Sequence, residues 1–193
     1  MPPKVKITKE DIINKAIEIV KEEGEIGLNA RNLASKLNSS TQPIFSNFKN
    51  MEDLKSAVVD AANKIYGKYV EEEIKSGKYP NYKSSGIAYI RFANEEKELF
   101  KILYMRDRST EKIDDTKDLD PILNEIMKAT GFDYDKALLF HLEIWAFVHG
   151  IAVMFATNYL NLDFDLVSDM MTHNYQGTLK VFKEGVKDGS NSN

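Results

Sequence analysis

Between Ile26 and Asn50 the chain carries no Asp or Glu, while Arg31, Lys36 and Lys49 are cationic. Thr41, Gln42, Ser46, Asn47 and Lys49 fall inside this window and supply hydroxyls, amides and an ammonium. Amide side chains can pair bidentately with an adenine edge, a threonine methyl can touch a thymine methyl, and Ser or Lys can hold phosphate. A stretch without acids can approach a polyanion without repulsion, even in a chain whose net charge is −4. His141, Trp145 and His149 form a second set, spaced four apart and therefore on one helix face. The two histidines stand two turns apart, about 12 Å along a helix axis, which is too far for one ion. With no Cys and no suitably spaced carboxylate to join them, no metal or cofactor is expected. No nucleophile with a base, no phosphate loop and no carboxylate pair emerges, so the chain is not expected to be an enzyme.

The elements that must carry the first set are helices. Thr8 is a good N-cap, Asp11 follows at capping-box distance, and Ile7 and Ile12 occupy staple positions. Ile13, Ala16, Ile17 and Val20 recur with helical period up to Gly24, which predicts a first helix from about Lys9 to Glu23. Asn29 caps a second helix whose stripe is Ala30, Leu33, Ala34 and Leu37. After the turn Asn38-Ser39-Ser40, Ser40 is expected to cap a third helix from Thr41 to Phe48, with Pro43 at its third position. Asn50, followed by Glu52 and Asp53, starts a long fourth helix reaching about Lys75.

Further helices are expected at about Tyr82 to Asn94, Glu96 to Arg106, Pro121 to Thr130, Tyr134 to Tyr159 and Phe164 to Glu184, with a charged loop at Asp107 to Asp120. The fold class is therefore all-α: an N-terminal three-helix unit over residues 1–50, with the start of helix four to about 56, a larger helical unit over 51–185, and a polar tail at 186–193. A composition 42% apolar and 29% charged is that of a soluble globular chain. No apolar run approaches the roughly 18 residues that span a bilayer, and Met1 to Lys6 lacks an apolar signal core, so a cytoplasmic protein with no membrane partner is expected. Cysteine is absent, which leaves packing alone to hold the fold.

Two short helices joined by a tight turn make a helix-turn-helix, whose second helix enters the major groove. If Ile44, Phe48, Leu33 and Leu37 face the small core, then Thr41, Gln42, Ser46, Asn47 and Lys49 are left toward DNA, and the helix starts at Asn29 and Ser40 offer N–H groups to phosphate. Spacing alone leaves open an ordinary helical hairpin with a solvated polar face. The stretch Ile12 to Leu54 resembles the DNA-binding domain of the TetR (tetracycline repressor) family, through Leu28-Asn29-Ala30-Arg31-Asn32-Leu33-Ala34-Ser35-Lys36-Leu37 and Ser40-Thr41-Gln42-Pro43-Ile44-Phe45-Ser46-Asn47-Phe48 leading to Asn50-Met51-Glu52-Asp53-Leu54. The resemblance implies that Asn29, Arg31, Ser40, Thr41, Gln42, Pro43, Phe45, Ser46, Asn47 and Lys49 meet double-stranded DNA at a palindromic operator. Three positions depart from the family pattern: Phe45 stands where Tyr is usual and cannot donate to phosphate, Asn38 replaces Gly, and Met51 replaces a backbone-contacting Lys.

Trp145-Ala146-Phe147-Val148-His149-Gly150 is similar to the Trp/His-Gly motif of one group of TetR-family C-terminal domains, and Lys97 to Tyr104 resembles the helix before it. The resemblance implies a homodimer through the last two helices, expected at Phe147, Ile151, Met154, Phe155, Met171, Tyr175, Leu179 and Phe182. It also implies an effector cavity, with Phe92, Phe100, Tyr104, Met105, Met127, His141 and Trp145 as lining candidates for an apolar or weakly polar small molecule. A repressor released when effector changes the dimer spacing is the function expected. The alternative is a helical interaction protein whose DNA-binding domain has weakened, which Phe45 and Met51 motivate.

Overall fold

The computed structural model describes residues 7–107 and 119–185, so the interior of the expected charged loop and the whole expected tail at 186–193 lie outside it. The described chain is all-α, without a strand: α1 (Lys9–Gly27), α2 (Ala30–Lys36), α3 (Gln42–Asn47), α4 (Met51–Ser76), α5 (Asn81–Glu95), α6 (Lys97–Tyr104), α7 (Asp120–Thr130), α8 (Tyr134–Ala156) and α9 (Phe164–Glu184).

Local chemistry sets most helix starts. The Thr8 hydroxyl accepts from Asp11 N at 3.1 Å and Thr8 N–H donates to the Asp11 carboxylate at 2.9 Å, closing the expected capping box. The Thr8 N–H, with the Thr8 hydroxyl that donates to the same carboxylate at 2.7 Å, favours the ionised form and lowers the Asp11 pKa. Asn29 accepts from Asn32 N at 3.0 Å and Asn50 from Asp53 N at 2.9 Å, as their positions before α2 and α4 predict. Asn38 takes the left-handed conformation (φ 49°) that its place in the turn requires.

Four helix boundaries differ from expectation. Gly24 is left-handed (φ 71°), but the chain makes one more turn to Gly27, closed by Leu28 N–H to Glu25 O at 3.0 Å, so the glycine kinks α1 instead of ending it. Thr41, not Ser40, caps α3, because Ile44 N–H and Phe45 N–H both reach Thr41 O; Pro43 thereby moves to the second helical position. At the end of α8, Asn158 turns left-handed (φ 55°) and stops the helix at Ala156, three residues early. The sixth helix stops at Tyr104, short of Arg106, where the backbone at Met105 (φ −118°, ψ 21°) leaves the helical region.

Ile12, Ala16 and Val20 of α1, Leu33 of α2, Ile44 of α3, Phe48 after it, and Leu54 and Val58 of α4 are all buried, giving the small three-helix unit its centre. This apolar interior continues without a break into the larger helical part. There α5 is packed by α4, α6 and α8; α8 also carries α7 and α9, and α1 lies along α6. Lys21 reaches Glu96 at 2.6 Å across the α1 to α6 contact. Contrary to the sequence reading, α8 is long and apolar enough to cross a membrane. In the fold its Ala137, Phe140, Ile144, Val148, Ile151 and Phe155 are buried, which fits the core helix of a packed bundle.

The α4 cap gives a direct test. Asn50→Ala should cost about 1 kcal/mol and Asn50→Gly only a few tenths, read as shifts in the urea midpoint at unchanged slope.

Candidate functional site

The α2 to α3 unit is built on two anchors. Ile44 and Phe48, four residues apart, are buried against Leu33 and α1, and this fixes which way α3 turns its other sides. Arg31, Gln42, Phe45, Ser46 and Lys49 are exposed, as are Asn29 and Ser40, while Thr41, Pro43 and Asn47 are half-buried. All ten expected DNA-facing residues thus lie on or beside one short unit, but their polar groups are not equally available. The Ser46 hydroxyl donates to Gln42 O at 2.9 Å and one N–H of the Asn47 amide to Pro43 O at 2.8 Å, so the helix's own carbonyls take the Ser46 proton and one of the two Asn47 amide protons. The Asn29 side-chain oxygen is occupied by its capping bond, and Ser40 Oγ accepts from Gln42 N at 3.4 Å. No hydrogen bond holds the Gln42 side chain among the described residues.

The acid-free window is not acid-free in space. Lys36 pairs with Glu22 at 2.8 Å and Glu23 at 3.4 Å from α1, an exchange that lowers the Glu22 pKa and raises that of Lys36. Arg31 and Lys49 make no ion pair among the described residues and remain the cations of this face. Lys9, not singled out by sequence, stands 4.9 Å over the Phe48 ring and brings a further ammonium beside α3. The separation of 39 positions between Lys9 and Phe48 hides that proximity from any local pattern.

The seven expected effector-lining residues do not form one wall. Phe92 and Phe100 are fully buried, and Phe100 packs on Tyr89 (5.2 Å between centroids) and Tyr104 (5.1 Å). Tyr89 bonds His149 Nδ1 at 2.9 Å, and Trp145, 43% exposed, stacks on that imidazole at 4.9 Å and 19°. His141 belongs to a different aromatic group: Tyr82 bonds its Nδ1 at 3.0 Å, and Tyr82 leads through Tyr175 to Phe140 and Phe182. Met105 is exposed and Met127 half-buried, with no ring contact tying either to these groups. Tyr82 and Tyr89, which organise both groups, were not among the expected site residues; two phenols seven residues apart and two imidazoles eight apart were the available signal.

The expected dimer residues divide similarly. Ile151, Phe155 and Met171 are buried inside this chain, so they serve its own core and not a partner's surface. Phe147, Met154, Tyr175, Leu179 and Phe182 are half-buried; Tyr175 and Phe182 already pack on Phe140. The outer apolar residues are Leu139, Leu142 and Trp145 on α8, and Leu166 and Val181 on α9.

No family model and no curated protein matches the sequence. Solved structures do match. A TetR variant from Acinetobacter baumannii AYE in complex with minocycline is 15% identical, with 93% of this chain and 98% of that one aligned at a TM-score of 0.60. A TetR-family member from Streptomyces coelicolor A3 is 18% identical over 86% of this chain and 96% of that one, with a TM-score of 0.57. A TetR-like transcriptional regulator from Rhodococcus sp. RHA1, 10% identical, aligns over 96% and 100% with a TM-score of 0.60. The fold is that of TetR-family regulators.

Two open clefts lie where the N-terminal helices of this TetR fold meet the rest. One, of about 740 Å³, runs between the end of α1 (Lys21 to Gly24) and the α5 to α6 junction (Asn94 to Glu98). The other, about 290 Å³, has Val20, Leu28, Val58 and Ile102 at its floor and Glu25, Lys55 and Arg106 around it. Neither includes an expected effector-lining residue.

Burial lowers the pKa of both His141 and His149 from the ordinary 6.5. The neutral rings can accept the phenolic O–H at Nδ1; once protonated, they cannot. The folded chain binds fewer protons at these sites than the unfolded chain, so stability is present above pH 6.5 and falls as the pH drops toward the folded values. Urea midpoints should decrease between pH 7.5 and 5.5, and His141→Gln should flatten that slope. An equal slope in the variant would place the titrating groups elsewhere.

Proposed function

We propose that this protein is a cytoplasmic, sequence-specific DNA-binding transcriptional regulator of the TetR type, a repressor released from a palindromic operator by a small molecule. The observation that carries this reading is the outer face of α3. Gln42 and Phe45 are exposed and uncommitted, with Arg31, Lys49 and Lys9 around them, on a helix fixed from behind by Ile44 and Phe48. Gln42 has the free amide that pairs with an adenine edge, and the cations suit phosphate. In this reading residues 1–50, with the first turns of α4, bind DNA, and 51–185 bind effector and a second subunit.

The homodimer is proposed through the outer faces of α8 and α9. Leu142, Ala146 and Gly150 follow one another at four-residue steps, and Gly150 and Gly177 have open space where a side chain would stand. Small residues between apolar ones let two helix pairs approach closely. Half-buried Phe147, Met154 and Leu179 flank these faces, whereas Ile151, Phe155 and Met171 do not contribute. For the effector, the Tyr89, His149 and Trp145 group with Phe92, Phe100 and Tyr104 offers large apolar surfaces with uncharged phenol, imidazole and indole tips, which favours an apolar or weakly polar molecule. The Acinetobacter protein of the same fold holds minocycline.

Binding to the DNA upstream of the protein's own gene, measured at several salt concentrations, tests the reading. A steep fall with salt and a preferred palindrome are expected. Gln42→Ala should cost about 1 to 3 kcal/mol on the preferred site and relax one or two positions, while Lys49→Ala should weaken all duplexes alike and shallow the salt slope by about one. Binding without sequence preference would instead favour an interaction protein whose DNA-binding unit has weakened, as the Lys36 pairing and the Asn47 amide bond to Pro43 O would suit.

The subunit contact has its own test. Leu142→Glu and Val181→Glu change exposed positions, so the fold should persist while light scattering shows monomer. A dimer unchanged in both variants would put the contact on other helices.

A further inference from the structure

We infer that the Phe45 ring reads the 5-methyl group of a thymine in the major groove, beside the adenine edge that Gln42 pairs, so that each half-site carries an A·T pair at this point. The inference rests on the DNA-binding reading above and adds to it the base chemistry that one side chain recognises.

Three observations lead there. Phe45 is 49% exposed, and no ring or cation contact engages it among the described residues, although Ile44 and Phe48 on either side of it are buried. A half-exposed phenylalanine on a six-residue helix does nothing for the core, and its apolar ring faces water until something covers it. Helix geometry next places Phe45 three residues from Gln42, making them surface neighbours, with Phe45 about 80° and Gln42 about 140° from the direction of the buried anchors. Finally, the neighbouring polar groups compete less well for base edges, because the Ser46 hydroxyl is tied to Gln42 O and Asn47 is half-buried with one amide N–H on Pro43 O.

The two exposed uncharged groups of α3 open to direct readout are one free amide and one bare ring. A ring without a hydroxyl can neither donate to phosphate nor pair with a base edge; the apolar feature the major groove offers it is the thymine methyl. Adenine's N6/N7 edge and thymine's methyl belong to the same base pair, so two adjacent side chains of these types match one A·T pair or two neighbouring pairs.

The test uses the full chain and a duplex selected by it from a randomised library. Each thymine of the selected half-site is replaced in turn by deoxyuridine, which removes only the 5-methyl group. One position should weaken wild-type binding about fourfold per half-site, the value of burying one methyl group, and roughly fifteenfold when both half-sites are changed. Phe45→Ala should lower affinity for the thymine duplex and abolish that sensitivity, while Phe45→Tyr, which keeps the ring, should retain it. Wild-type binding indifferent to every deoxyuridine would overturn the inference and leave the DNA-binding reading intact. Full sensitivity surviving in Phe45→Ala would also overturn it, assigning the methyl to Thr41 or Pro43. Failure to select any preferred duplex would overturn both.

Discussion

The packing of α8 against α5 is the contact on which the arrangement of the larger part depends. Two phenol to imidazole bonds, Tyr82 to His141 and Tyr89 to His149, cross it at points about two turns apart and so fix both its register and its rotation. Each bond sits inside an aromatic group. The one at His141 continues to Tyr175 and Phe182 and so holds α9. The one at His149 continues to Phe100 and Tyr104 and so holds α6, against which α1 lies. Slipping α8 by one residue along α5 would break both bonds and separate both sets of rings. Burial pushes the hydroxyl of Tyr66, which packs on Tyr89 and Tyr104, up to about 12.

The small N-terminal unit follows a different logic. Its interior is aliphatic apart from Phe48, and its polar residues act as caps and turns: Thr8, Asn29, Asn50 and the left-handed Asn38. These local devices spend side chains on the backbone, and α3 spends two more on its own carbonyls. A short helix that satisfies itself this way has few groups left for anything else. The uncommitted Gln42 and Phe45 are therefore informative in proportion to their scarcity.

What could be read in advance tracks how local the physics is. The starts of α1, α2 and α4 were legible because each rests on a side chain bonding a backbone N–H three residues away. The α9 bounds, Phe164 and Glu184, follow the helical period up to Gly185; in the structure Asp163 caps the start and Gly185 (φ 78°) closes the end. Ser40 misled because Thr41, one residue later, bends the chain into the helix without a side-chain bond, a choice made by Pro43 and by Ile44 reaching the core. Lys36 read as a free cation because its acids come from another helix. In α8, apolar residues lie nearly all round, so periodicity could not say which faced inward; Ile151 and Phe155 turned to the core and Trp145 to the outside. The gathering of Phe100, Tyr104 and Trp145 around His149 depended on α5, which no spacing within α8 reveals.

One helix belongs to both parts. Leu54 and Val58 at the start of α4 are buried with α1, while Tyr66 and Tyr69 further along it pack on Phe92 of α5. With 26 residues it is a rod of about 39 Å, uninterrupted by proline. A rod anchored at two distant places behaves as a mechanical lever: tilting one end by about 5° carries the other about 3.4 Å, which is the rise of one base along a DNA strand. Any repacking of the rings near Phe92 that tilted this rod would therefore move the turn from Lys49 to Asn50 further than it moved the rings themselves.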